Sequence, residues 1–90
     1  MKTYTIKQPI FELHTDECGD KSWCAYNTEE YIYIYFEPDN SLPYRARYCF
    51  DEYYNEGSKE FNTFDEAKEW LVGKYNKYIA RNLDEVIKYE

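Results

Sequence analysis

Four side chains in this chain of 90 residues have the chemistry of soft metal ligands: His14, Cys18, Cys24 and Cys49. One imidazole and three thiolates would make a tetrahedral zinc site. The spacing argues against it. Three, five and twenty-four residues separate successive members, no Cys-x-x-Cys pair occurs, and Cys49 falls inside an alternating run. Three free thiols, a polar histidine and no metal or other cofactor are expected. Cys18 and His14 are close enough in sequence for a nucleophile and its base, but no third group orients the histidine and no oxyanion hole is recognisable. The adjacent carboxylates Glu29-Glu30 and Asp51-Glu52 would point to opposite faces of a strand, or stand solvated in turns, and neither arrangement makes a general acid and base. Gly19, Gly57 and Gly73 are isolated, so there is no phosphate-cradling loop. The chain does not read as an enzyme.

The strongest pattern is recognition chemistry. Tyr31-Ile32-Tyr33-Ile34-Tyr35-Phe36 alternates with period two and is wholly aromatic or β-branched, which predicts a strand. Ile32, Ile34 and Phe36 then share one face and Tyr31, Tyr33 and Tyr35 the other. The apolar face belongs against a core. The tyrosine face is expected to stay partly open, because each phenol needs water or a partner for its hydroxyl. Tyrosine offers a large contact area with few rotatable bonds, so binding surfaces favour it. Tyr44-Arg45-Ala46-Arg47-Tyr48-Cys49-Phe50 also alternates, and the turn formers of residues 38–43 lie between the two runs, which predicts an antiparallel hairpin. If Arg45, Arg47 and Cys49 take the outer face of that pairing, both arginines lie beside the tyrosine row, where guanidinium stacking on phenol would be worth about 0.5–1 kcal/mol per exposed pair.

The elements that must hold this face follow in order. Thr3 to Ile6 alternates weakly, and Pro9 places the first strand at an edge, at a bulge or in two pieces. Ile10 to His14 resumes it, with Phe11 and Leu13 inward. Residues 15–21 form a polar turn around Gly19, and Ser22 to Tyr26 read as the next strand. Asp51 to Glu60 is acidic, contains Gly57 and reads as a loop. Thr63-Phe64-Asp65-Glu66 is a capping box, with the Thr63 hydroxyl accepting from the Glu66 N–H and the Glu66 carboxylate reaching back. The helix that follows carries Ala67, Trp70, Leu71, Tyr75, Tyr78 and Ile79 on one stripe. Asn82 offers a second cap, where a short helix restarts; the alternative is one continuous helix, because Leu83, Val86 and Ile87 keep the phase. The expected fold is α+β: an antiparallel sheet of about four strands with a C-terminal helix packed on one face. It forms a single domain over residues 1–90, with a sheet half over 1–61 and a helical half over 62–90.

Net charge is −7, and fourteen acids against four bases place −10 of it within residues 12–66. Such a field repels nucleic acid and attracts basic surfaces, although acids also keep small proteins in solution. RNA readers stack bases on sheet aromatics, and Arg45 and Arg47 would suit that role, but the acidic surroundings oppose it. Direct nucleic-acid binding is therefore not expected. No stretch is long and apolar enough for a membrane span, and no membrane partner is expected. The N-terminus reads as a strand, not a secretory leader, and an odd number of cysteines fits a reducing, cytoplasmic location.

In length, cysteine usage and the acids Asp16, Glu17, Asp20, Glu29, Glu30, Glu37, Asp39, Asp51, Glu52, Glu56 and Glu60, the chain resembles small acidic inhibitor proteins of phages and mobile elements. These are of the anti-CRISPR and anti-restriction type, and the likeness is one of class. The resemblance implies a nucleic-acid mimic that presents carboxylates where a nuclease expects phosphates, and it assigns no role to any residue. The expected function is a protein-binding inhibitor occupying a basic, nucleic-acid-binding surface of a larger partner. Tyr31, Tyr33 and Tyr35 would be its anchors, with Glu29, Glu30, Glu37, Asp39, Arg45 and Arg47 around them. The alternative is an assembly module, a homodimer joined through the tyrosine face.

Overall fold

The alternating runs and the capping box organise a computed structural model that describes residues 8–28, 30–50 and 55–88, the last eight as helix backbone. Five strands, β1 (Phe11–Thr15), β2 (Lys21–Ala25), β3 (Tyr31–Phe36), β4 (Tyr44–Cys49) and β5 (Glu56–Phe61), precede one helix, α1 (Phe64–Lys88). Each strand pairs antiparallel with its sequence neighbour, giving the order β1-β2-β3-β4-β5. The predicted strand over Thr3–Ile6 lies outside the described residues. No helix among the described residues is long and apolar enough to cross a membrane.

Local chemistry sets the turns. Between β1 and β2, Asp16 Oδ1 accepts from the backbone N–H groups of Cys18 and Asp20, both at 2.9 Å. Gly19 occupies φ 86°, a left-handed conformation that a side chain would strain. Before β1, the Asn27 side chain accepts from the Ile10 N–H and donates to the Gln8 carbonyl, each at 2.7 Å. It thus grips the chain on both sides of Pro9, which cannot donate to a ladder. Thr63 caps α1 as expected, its hydroxyl accepting from the Glu66 N–H at 3.2 Å. The reciprocal bond differs: the same hydroxyl donates to Glu66 Oε1 at 3.1 Å.

The core lies between the sheet and α1. Ile32 and Ile34 from β3, Ala46 from β4, and Ala67 and Leu71 from α1 are fully buried, with Tyr48, Phe50 and Tyr75 around them. Phe64 opens the helix by packing edge-on against Phe11 and tilted against Trp23. Beyond that first residue α1 lies over β3, β4 and β5. Leu13 was expected inward and is instead 50% exposed. It lies on the helix side of β1, opposite Trp23, but the sheet is wider than the helix that covers it.

Two further expectations are corrected. Residues 56–60 are not loop but most of β5, although Glu, Gly, Ser and Lys are poor strand formers. The Phe50 N–H donates to the Asn55 carbonyl at 2.8 Å, and this closes the hairpin that brings β5 onto β4. Gly57 stands opposite Tyr48, whose ring lies over it. A Cβ at this position would meet the Tyr48 hydroxyl oxygen at 2.9 Å and the ring at 3.0 Å, so the glycine is what lets the ring lie flat on the strand. The helix also does not restart at Asn82 but runs unbroken to Lys88.

Candidate binding face

Side chains that alternate away from α1 form the outer face of the sheet, and the register places each of them. One row runs Glu12, Cys24, Tyr33, Arg47, Ser58 from β1 to β5; the next runs His14, Ser22, Tyr35, Arg45, Glu60. A third, shorter row holds Tyr31, Cys49 and Glu56. Tyrosine therefore occupies the middle of the face, arginine stands beside it, and glutamates lie on the outermost strands.

The three tyrosines form a ladder along β3. Ring centroids of Tyr31 and Tyr33 are 4.2 Å apart, and those of Tyr33 and Tyr35 are 5.8 Å apart and nearly parallel. Tyr31 is 47% exposed, while Tyr33 and Tyr35 are half-buried between their neighbours. Cys24 sits directly opposite Tyr33. Hydrogen bonding between them, with burial and the nearby charges of Cys24 and Tyr31, pushes the Tyr33 hydroxyl up from 10.0 to about 12. Burial, helped by a hydrogen bond with Tyr31, also raises the Tyr35 hydroxyl, and the positive charge of Arg47 opposes this. At neutral pH Tyr33 and Tyr35 are therefore uncharged, with hydroxyls able to donate and accept.

Arg45 does not stack on a phenol. Its Nη1 lies 3.3 Å from Glu37 Oε1 and its Nη2 3.5 Å from Glu60 Oε1, so two carboxylates claim it first. The cation–ring contacts among the described residues are elsewhere, Lys59 over Phe61 and Lys74 over Trp70. Arg47 is exposed and has no acidic partner among the described residues.

The expected acids frame the ladder unequally. Glu37 directly follows β3 and is tied to Arg45 and to the Asn40 side chain. Asp39 is exposed in the loop that follows, on the wall of a cleft of about 610 Å³ that also includes His14, Asp20, Tyr35 and Glu37. Glu30 lies at the opposite end of the ladder, half-buried, and its carbonyl accepts from the Thr28 hydroxyl at 3.1 Å. Glu29 lies outside the described residues. Sequence reasoning missed Glu56 and Glu60 as members of this face, because it read their segment as loop. The available signal was the spacing of Glu56, Ser58 and Glu60, which alternate as a polar outer face should.

The soft-ligand set does not converge. His14 is on β1, Cys18 in the following turn, Cys24 on β2 and Cys49 on β4. Among the described residues no three His, Cys, Asp or Glu side chains are grouped to hold a metal ion. None of the three cysteines is in a disulfide. Comparison with known proteins found no matching family model, no similar curated protein and no similar solved structure.

Proposed function

We propose that this protein is a binding inhibitor, not an enzyme, that docks its outer sheet face onto a basic, nucleic-acid-binding surface of a larger protein such as a nuclease complex in the cytoplasm. One observation carries the reading: a tyrosine ladder, Tyr31-Tyr33-Tyr35, over which no described element lies, bordered by glutamates on the outer strands. Large aromatic side chains at the centre of a patch supply most of the energy of an interface, and border charges supply steering. The net charge of −7 selects a partner of opposite sign.

The test is capture of a partner from host lysate on immobilised protein, eluted in steps of rising salt. A nucleic-acid-binding protein released by moderate salt is the expected result, with Tyr33→Ala weakening its binding by about tenfold or more. Salt-independent binding, or an unaffected Tyr33→Ala variant, counts against the proposal. Recovery of only the protein itself, with a mass in solution that rises with concentration, would replace it with self-assembly through the same face.

A further inference from the structure

The two arginines of β4 are not equivalent, although both stand in the middle of the outer face. Arg45 is neutralised between Glu37 and Glu60. Arg47 stands one step along the strand pair, opposite Tyr33 on β3 and Ser58 on β5, and no acidic side chain among the described residues pairs with it. A depression of about 270 Å³ opens beside it, lined by Arg45, Arg47, Glu56, Gly57 and Ser58. The face is therefore negative at its borders and, among the described residues, holds near its centre one cation without an acidic partner. We infer that Arg47 and Ser58 form a carboxylate-binding site, and that the outer face fits a partner whose basic surface carries an acidic side chain at its middle.

The inference rests on the reading of the outer face as a protein-binding surface and makes the partner more specific. A carboxylate in the depression would take the planar guanidinium fork with two parallel hydrogen bonds. The Ser58 hydroxyl is a further donor within the same row. A uniformly basic partner would instead bury Arg47 against like charge, and an unpaired cation in an interface is strongly unfavourable. A nucleic acid does not meet the requirement, since its repeated phosphates would run over Glu12, Glu56 and Glu60 at the borders. Carboxylates set within a basic track are what a metal-dependent nuclease presents, acids to hold the metal and cations to hold the backbone.

Two short peptides test this directly. Both carry Lys-Arg-Lys ends; one has Asp-Asp at its centre and the other Asn-Asn. Each is titrated into isotopically labelled protein and followed by backbone amide shifts. The Asp-Asp peptide is expected to bind about threefold tighter or more despite its lower positive charge. Its shifts should centre on Tyr33, Arg47 and Ser58, and Arg47→Gln should reverse the preference. Equal or tighter binding of the Asn-Asn peptide to the wild-type protein overturns the carboxylate site and leaves the basic-partner reading standing. So does a preference that survives in Arg47→Gln. Binding of neither peptide overturns both. Arg47 is exposed, so its replacement leaves the fold in place, which an unchanged thermal transition verifies.

Discussion

The two faces of β3 are built from the same backbone and do opposite work. On the helix side, Ile32 and Ile34 lose all contact with water and pack against Ala46 and Leu71. On the other side, Tyr31, Tyr33 and Tyr35 touch mainly one another and their cross-strand neighbours, and nothing described lies over them. A difference of one residue in register decides which set is buried. The comparison teaches that stability and recognition are separable here: a change on the inner face should unfold the protein, and a change on the outer face should spare the fold and alter what it binds.

The largest expected effect lies at Leu71, fully buried in the middle of the helix stripe. Leu71→Ala should destabilise the domain by about 2–5 kcal/mol, the usual cost of lost burial plus a cavity, measured by urea unfolding. A loss as small as that of Tyr31→Ala would erase the distinction between the faces. Gly57 is next. Adding a Cβ under the Tyr48 ring should cost about 1–3 kcal/mol through forced displacement of a packed aromatic. Gly57→Ala combined with Tyr48→Phe, which removes the nearest atom, should recover part of that loss; no recovery would show that the ring and not the hydroxyl sets the limit.

The subtlest effect is titration of the ladder. A folded-state value raised above the unfolded one means that protonated Tyr33 favours the fold. That contribution is complete below about pH 10 and is lost as pH rises through about 12. Phenolate absorbance should show Tyr33 ionising near pH 12, and Cys24→Ala should bring it down by removing the main cause. If every tyrosine titrates together near pH 10, the outer face is more open than the ring contacts imply.

Much of this was legible in the sequence because β3, β4 and α1 each carry one clear period. Alternation alone placed Ile32 and Ile34 inside and the tyrosines outside, and the Thr63 cap marked the start of the helix within a residue. What stayed hidden depends on neighbours. Residues 56–61 have little strand preference of their own; they pair because β4 offers an open edge and Gly57 leaves room for Tyr48. Leu13 alternates as an inward residue should, but no sequence pattern states how far across a sheet a helix will reach. The choice of Arg45 between phenols and carboxylates was equally invisible, since Glu60 became available only once β5 existed.

The neighbour-by-neighbour order of the sheet also bears on how the chain reaches its native state. Every described strand finds its partner across a short connection, so little loop-closure entropy is spent before contacts begin to accumulate. Hairpins can zip one after another as the chain leaves the ribosome, and α1, which follows the strands in sequence, then seals their apolar side. For an all-antiparallel sheet this is a low contact order, and it predicts fast folding with little time for exposed edges to find the wrong chain.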